Sequence, residues 1–288
     1  MKSRVLPLVI AFLFACTGAR ATAHSPAIWT EPVPPHTIAG NLHYVGSRDL
    51  ASYLITTSEG HILINSSLEE SVPLIRASVE KLGFKFTDVK VLLISHAHSD
   101  HCAGSAEIKK LTGASYMVME GDVPASESGG APKKLADYLQ FPPAKVDRAL
   151  RDGDEVKLGD AVLVAHLTPG HTRGCTTWTM QVRDGKKLLN AVIIGSPNVN
   201  PGYILVNNKT YPEIAADYEK CFRVLRSLPV DLFLGAHGSY YNMEKKHALL
   251  PTAATNPFID PDGYLRYVTE REQAFRKEWD KQKANSAP

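Results

Sequence analysis

The stretch VKVLLISHAHSDH, residues 89–101, decides the fold of this chain. Its first six residues are mostly apolar and branched, and such a short run predicts a buried β-strand. Directly after it, three of the chain's 11 histidines and one aspartate fall within six positions. Residues two apart share a side in extended chain, so His96 and His98 can bind one ion while Asp100 and His101 point toward a second. Imidazole and carboxylate ligands suit zinc, so the pattern predicts a metal site.

Two later histidines also follow apolar runs. His171 comes at the end of AHLTPGHT, residues 165–172, and His237 lies within LFLGAHG, residues 232–238. Functional side chains often sit just past the ends of sheet strands, so we expect both histidines to join the cluster. His166 competes with His171, but strand alternation places it on the sheet surface and predicts a structural role.

Composition and charge narrow the class of protein. The chain has 288 residues, 44% of them hydrophobic and 22% charged, which is typical of a globular protein with a sizeable core. A formal net charge of +2 gives no support for nucleic-acid binding, which needs clustered Lys and Arg. No run after the N-terminus approaches the ~20 apolar residues of a membrane span. We therefore expect no nucleic-acid partner and no membrane span. We also expect a monomer whose partner is a small-molecule substrate.

The N-terminus has the pattern of a secretory signal. Residues 1–23 begin with two basic side chains, continue with an apolar stretch over 5–15 and end in Ala-Thr-Ala. We predict cleavage after Ala23 and a periplasmic protein; lipid attachment at Cys16 is the alternative. The mature chain would keep three cysteines, and an odd number in an oxidising compartment leaves at least one unpaired.

Strand-like and helical patterns alternate along the chain without a linker between halves. Alternating or continuous apolar runs predict strands over residues 42–45, 52–56, 61–65, 89–94, 115–118, 154–158, 161–165, 175–182, 188–194 and 231–234. Apolar residues three or four apart predict helices over residues 67–82, 104–112, 214–228 and 264–282, with a short one at 134–141. This order predicts a single α/β domain, residues 24–288, with mixed sheets and flanking helices.

The three histidine motifs together resemble those of the metallo-β-lactamase superfamily. HAHSDH, PGHT and GAHG occur here in that family's order, each after an apolar strand, and the resemblance covers residues 38–256. It implies an αββα sandwich of two mixed β-sheets flanked by helices, and two zinc ions per chain. The implied ligands of the first zinc are His96, His98 and His171. Those of the second are Asp100, His101 and His237.

The segment that follows the predicted strand at residues 188–194 indicates which branch of the superfamily the chain resembles. Many of its hydrolases carry a bridging Asp there, where this chain has Gly195-Ser196, and two β-lactamase subclasses carry a Cys ligand that this chain lacks. Residues 174–178, GCTTW, and 196–208, SPNVNPGYILVNN, are similar to subclass B3 metallo-β-lactamases. The resemblance implies hydrolysis of the β-lactam ring of penicillins, cephalosporins and carbapenems by a metal-bound hydroxide, and hence antibiotic resistance.

The same resemblance suggests roles for further residues. Asp100 would orient the hydroxide as the catalytic residue, besides binding metal. Ser196, Asn198 and Asn200 are candidates for contacts to the substrate carboxylate or to a water. Four apolar loop residues either cover a bound drug or simply pack their own loops: Trp29, Tyr138, Leu139 and Phe141.

Some positions depart from the family pattern, and other functions stay open. Asn65 stands where many members have Asp, Arg173 replaces the Pro of PGHTPG, and Cys102 is interpreted as a small buried residue. The first alternative is another binuclear zinc hydrolase of this fold, a lactonase or phosphodiesterase. The second is a secreted zinc-binding protein without catalytic activity.

Overall fold

Two β-sheets lie face to face in the computed structural model, which describes residues 26–130 and 140–286. The strands of the first sheet are β1 (His36–Ala39), β2 (Leu42–Tyr44), β3 (Tyr53–Thr57), β4 (Gly60–Ile64), β5 (Val89–Leu93), β6 (Ser115–Met119) and β7 (Arg148–Leu150). Those of the second are β8 (Glu155–Leu158), β9 (Ala161–Leu167), β10 (Thr176–Asp184), β11 (Lys187–Ile194) and β12 (Leu232–Gly235).

Both sheets are mixed, as predicted from the sequence. The first runs in chain order from β1 to β7, antiparallel up to β4 and parallel from β4 onward. The second runs β12-β11-β10-β9-β8, with only the β11–β12 pair parallel. The parallel pairs bring the carboxyl ends of β4, β5 and β6 to one edge of the molecule.

Helices cover the sheets and complete the predicted αββα architecture. They are α1 (Val72–Lys81), α2 (Ser99–Cys102), α3 (Ser105–Thr112), α4 (Val123–Ser128), α5 (Ile214–Ser227), α6 (Met243–Leu249) and α7 (Pro261–Asn285). Helices α1 and α3 share a buried cluster with one face of the first sheet, and α5 and α7 pack with the second sheet. None of the described helices is both long and apolar enough to cross a membrane.

Strand β4 shows why the apolar run forms a central strand. Ile62 and Ile64 belong to the core shared with the second sheet, whereas Leu63 belongs to the cluster under the helices. All three are fully buried, because a parallel strand covered on both faces needs apolar side chains on both. Across the sheets, Trp178 of β10 donates its indole N–H to the carbonyl oxygen of Ile94 at 3.1 Å. That bond joins the two sheets next to the histidine motif.

Some boundaries differ from the sequence predictions. The helix predicted from residue 67 begins at Val72, because Ser67 has a φ of 54° in a left-handed turn. Strands β1 and β7 and the short helices α2, α4 and α6 were not predicted. The predicted signal peptide and residues 134–139 of the short predicted helix lie outside the described residues. Among the described residues all three cysteines are unpaired and buried, including Cys102.

Candidate metal centre

The ends of three strands carry the candidate ligands, and the strands come from both sheets. After β5 the chain passes through His96 and His98 into the short helix α2, which holds Asp100 and His101. His171 follows β9, and His237 follows β12, in the order predicted. The six residues predicted from the sequence therefore lie together at one edge of the two-sheet sandwich.

The first group contains three histidines. The ring centroid of His96 lies 4.7 Å from that of His98 and 4.6 Å from that of His171, and the latter two are 4.8 Å apart. One nitrogen from each ring can lie within 4.8 Å of the others, which is a spacing that one ion can span. His171 Nδ1 is 2.8 Å from the carbonyl oxygen of Asn198. A carbonyl only accepts, so Nδ1 carries the proton and Nε2 keeps its lone pair for a metal.

The second group is centred on a carboxylate. Asp100 Oδ2 lies 3.2 Å from His101 Nε2 and 3.4 Å from His237 Nε2. The rings of the two histidines are 4.9 Å apart. His96 also approaches this group, with its ring 4.3 Å from that of His101. The two groups therefore adjoin, as expected for neighbouring ions.

The donor set passes a simple test for a metal site. Both ring nitrogens of His96 are buried and have no hydrogen-bond partner among the described residues. Leaving a buried polar atom unpaired costs about 1–3 kcal/mol, so a protein core rarely keeps two on one ring. Imidazole and carboxylate donors at these spacings fit zinc.

Burial and neighbouring charges set the protonation of the centre. Burial lowers the pKa of His96 well below its usual value and that of His171 to about 3, so both rings are neutral as ligands must be. Burial opposes the charge on Asp100, but His101 and His237 outweigh it and hold the pKa of the carboxyl well below its usual range. Burial also opposes the charge on His237, yet Asp100 and Asp49 raise the pKa of its ring to about 9.

A cleft of about 460 Å³ opens beside His98. Thr172 and Arg173 form part of its wall. The Arg173 guanidinium, however, donates to the carbonyl oxygen of Thr210 at 2.9 Å and lies 4.4 Å from the centre of the Tyr211 ring. This cation at the rim of the cleft is held by Thr210 and Tyr211 of a neighbouring loop.

The candidate substrate residues lie on the loop after β11. Ser196 is buried, and its Oγ is 3.3 Å from the hydroxyl oxygen of Tyr240. Asn198 donates its amide N–H to the same hydroxyl at 2.8 Å, while Asn200 is exposed. The Tyr240 ring lies 5.0 Å from that of His237, so this network adjoins the second group. Substrate contacts by the three residues stay predictions.

The apolar loop residues were expected either to cover a bound substrate or to pack their own loops, and the described ones differ in this respect. The Trp29 ring is 6.0 Å from that of His237 and lies beside the centre. Phe141 is buried in the cluster with α1 and α3, so it packs its own part of the fold. Tyr138 and Leu139 lie outside the described residues. The ring of His166 is 2.8 Å from Thr179 Oγ1 on the sheet surface, in line with a structural role.

The structure explains Asn65 at the position where many members of the family have Asp. Its side-chain oxygen accepts from the backbone N–H of Ser95 at 2.7 Å. Its amide nitrogen donates to the Ala51 carbonyl oxygen and to Ser95 Oγ, both at 3.0 Å. A neutral amide therefore supports the residue that precedes His96, and its two donated bonds are ones that a carboxylate cannot make.

Two buried carboxylates beside the centre were missed from the sequence. Asp49 contacts His237, and Asp122 contacts the backbone around His98 and His171. Their partners are distant in sequence, so neither position shows a local motif. A lone acidic residue after an apolar segment was the only available signal, and it is too common to be specific.

Comparison with known proteins agrees with the observed fold and indicates a class of hydrolases. Residues 48–184 match the model of the Metallo-beta-lactamase superfamily. The chain belongs to this superfamily. The matched segment ends before His237.

Solved structures extend the similarity over nearly the whole chain. The metallo-β-lactamase of Legionella gormanii is 53% identical with a TM-score of 0.87, over 88% of this chain and 98% of that one. A subclass B3 metallo-β-lactamase of Bradyrhizobium japonicum is 41% identical with a TM-score of 0.86, over 91% and 99%. Among curated relatives, a hydroxyacylglutathione hydrolase of Rhodopseudomonas palustris is 29% identical over 83% of this chain and 76% of its own. Other such hydrolases match over as little as 30% of their length.

Proposed function

We propose that the protein is a subclass B3 metallo-β-lactamase that hydrolyses the β-lactam ring of penicillins, cephalosporins and carbapenems with two zinc ions. The similarity to two metallo-β-lactamases across nearly their full length supports this substrate class. A group of three histidines that adjoins Asp100, His101 and His237 supports a pair of ions.

One observation carries the choice of branch. Hydrolases with a bridging Asp would place it after β11, at Gly195-Ser196. A Cβ atom built on Gly195 would overlap the Thr176 carbonyl oxygen and lie 2.9 Å from the Cys175 sulfur. No side chain fits at this position without a backbone shift. The Ser196 hydroxyl adjoins Tyr240 and cannot replace a bridging carboxylate. The lack of room for a bridging side chain at Gly195 supports the six-ligand set without a bridge.

The site residues divide the work of hydrolysis. Bound zinc supplies Lewis acidity, which polarises a carbonyl and lowers the pKa of water to ~7. His96, His98 and His171 would hold one ion, and Asp100, His101 and His237 the other. Asp100 stays ionised at neutral pH, so its carboxylate can accept a hydrogen bond from the attacking water and orient it. The loop from Ser196 to Asn200 would bind the substrate carboxylate.

The hydroxyacylglutathione hydrolase relatives define the second candidate. They support cleavage of hydroxyacylglutathione on the same centre, although their identity is lower than that of the metallo-β-lactamases. Lactonase and phosphodiesterase activities are further outcomes to be measured, because the same metal chemistry serves them. The ligand set without a bridging Asp and the shape of the cleft would together separate these activities.

A substrate panel tests the proposal. Purified zinc-loaded protein is assayed on nitrocefin, a penicillin, a carbapenem, a hydroxyacylglutathione, a homoserine lactone and a bis-aryl phosphate, with and without a chelator. We expect chelator-sensitive turnover that is highest on the β-lactams. Asp100→Ala should lower it by a factor on the order of 100 or more. Asp231→Asn, a carboxylate change at the other end of β12, serves as control. Intact β-lactams with fast turnover of another substrate would overturn the assignment.

We also propose that the chain is exported to the periplasm and acts there as a monomer. The charged start, apolar middle and Ala-Thr-Ala end of residues 1–23 support export. N-terminal sequencing of the periplasmic protein should begin at His24, and size-exclusion chromatography with light scattering should give the monomer mass. A lipid-modified Cys16 in the membrane fraction would contradict the predicted cleavage.

A further inference from the structure

We propose that two buried carboxylates, Asp49 and Asp122, each fasten the two sheets together around a different metal site and act as its positioning residue. Asp49 would serve the site at His237, and Asp122 the site at His171. The inference rests on the proposed pair of metal ions but not on the identity of the substrate.

Asp49 reaches from the first sheet to the ligand after β12. It lies in the loop between β2 and β3, and its Oδ2 is 2.9 Å from His237 Nδ1. Its Oδ1 accepts from the backbone N–H of Ser239 at 2.9 Å, and its carbonyl oxygen accepts from Gly238 N at 2.6 Å. The side chain is buried, and its pKa is lowered to about 2: burial opposes the charge, but the bonds to His237 and Ser239 outweigh it. Asp49 alone therefore holds the His237 ring and the backbone of the two residues that follow it.

The arrangement at Asp49 selects one tautomer of His237. With Nδ1–H donating to the carboxylate, Nε2, which faces Asp100 at 3.4 Å, is the ring nitrogen that would give up its proton to bind a metal. An Asn side chain has only one acceptor for these two donors. If its oxygen takes the Ser239 N–H, its NH₂ faces His237 Nδ1 and stabilises the tautomer with a proton on Nε2. That tautomer cannot bind a metal through Nε2.

Asp122 makes the corresponding connection for the first group. It follows β6, and its Oδ2 accepts from the backbone N–H of Ala97 at 2.9 Å and from Thr172 Oγ1 at 2.7 Å. Its Oδ1 accepts from the backbone N–H of Gly174 at 2.8 Å. Ala97 separates His96 from His98, and Thr172 directly follows His171. One carboxylate therefore sets the spacing between the two chain segments that carry the first three ligands.

Close backbone packing keeps Asp122 in register with its partners. A Cβ atom on Gly121 would lie 2.6 Å from the carbonyl carbon and oxygen of Arg173. A Cβ atom on Gly174 would lie 2.5 Å from the backbone nitrogen of Asp122. Both positions need glycine because the backbone at residues 121–122 is in contact with the backbone at residues 173–174. This contact holds the Asp122 side chain within hydrogen-bonding distance of its donors.

We expect substitutions at Asp49 and Asp122 to lower the metal affinity of different sites. Replacing a residue that orients a ligand typically weakens metal binding by 10–100-fold. Asp49→Asn should therefore weaken one of two stepwise zinc affinities by at least tenfold and leave the other within about twofold. Asp122→Asn should weaken the other one by a similar factor. Asp231→Asn is the matched control, since it also accepts two hydrogen bonds that join strand segments, but away from the centre.

Competition titrations of metal-free protein against a chromophoric chelator, with Zn²⁺ and separately Co²⁺, measure both affinities. A double-mutant cycle separates positioning from general stability. On a His237→Ala background, Asp49→Asn should have no further effect on the remaining site, whereas Asp122→Asn should keep its full effect. If Asp122→Asn fails to fold, Thr172→Val removes one of its three bonds and should give a smaller change in the same direction.

The assignment of one carboxylate to each metal would be overturned if either variant weakened both sites equally. It would also be overturned if Asp49→Asn had an additive effect on the His237→Ala background. Unchanged affinities in both variants would overturn it as well. Failure of the wild-type protein to bind two ions is a different outcome, because it refutes the proposed two-zinc function before the variants are compared.

Discussion

The substitution Asn65→Asp puts a carboxylate where many relatives have one, and the structure predicts that it destabilises this chain. Asn65 is fully buried and donates two hydrogen bonds, to the Ala51 carbonyl and to the Ser95 hydroxyl. The Ser95 hydroxyl can turn and donate to a carboxylate instead. The Ala51 carbonyl cannot, so it would face a second acceptor at about 3 Å.

The expected cost follows from the two states open to the new side chain. If it ionises, a buried carbonyl loses its donor, which costs about 1–3 kcal/mol, and a buried charge adds to this. If it stays protonated, the proton donates to Ala51, but holding a carboxyl protonated at pH 7 costs roughly 4 kcal/mol, at 1.36 kcal/mol per unit above a pKa of about 3.9. The protein takes the cheaper state, so we expect a loss of about 2–4 kcal/mol in unfolding free energy at pH 7.

The pH dependence distinguishes this mechanism from simple misfit. The introduced carboxyl has a folded pKa above its unfolded one, so the destabilisation shrinks as pH falls toward 4. Urea denaturation of metal-free Asn65→Asp and wild-type protein at pH 7 and pH 5 measures it, with Asn65→Ser as the uncharged control. Equal stability of Asn65→Asp and wild type at pH 7, or a pH-independent difference, would refute the assigned direction of these hydrogen bonds.

Three further outcomes are expected. Removing metal with a chelator should abolish turnover and lower Tm by on the order of 10 °C, since an ion at ~1,000 times its Kd adds about 4 kcal/mol; an unchanged Tm would contradict a folded-state site. Burial lowers the pKa of His36 to about 4 from 6.5, so the unfolded chain binds the extra proton between these values, and stability falls by about 3 kcal/mol as pH drops through this window. His36→Phe should flatten that part of the denaturation profile, and an identical slope would count against it. Trp178→Phe removes the indole bond to Ile94 and should cost about 1–3 kcal/mol in thermal or urea unfolding, with little effect expected from the exposed control Leu188→Ala.

The parts of the fold that the sequence predicts are those with a strong local pattern. The apolar run of β5 and the amphipathic helix α5 carry their periodicity in consecutive residues, and both are found within a residue or two. Strand β7 has a single buried side chain, Leu150, and forms because β6 is adjacent, so local pattern is too weak to indicate it.

The residues of the candidate site can likewise be predicted only where they share a local sequence motif. His96, His98, Asp100 and His101 share one short motif, so their clustering can be inferred from spacing. Asp49 acts on a residue 188 positions away, which only the packed sheets bring into contact. The choice of Asn over Asp at position 65 likewise depends on which neighbours need a donor. Such effects arise from tertiary contacts, and a single sequence does not display them.

The order of the ligands along the chain constrains when the metal centre can form. A nascent chain that ends before residue 232 lacks both the last ligand, His237, and strand β12, which pairs with β11 beside it. It can offer only the motif at residues 96–101, together with His171 once that segment has emerged. The complete centre is therefore a late product of synthesis and folding, and the compartment where the finished chain folds has to supply its metal.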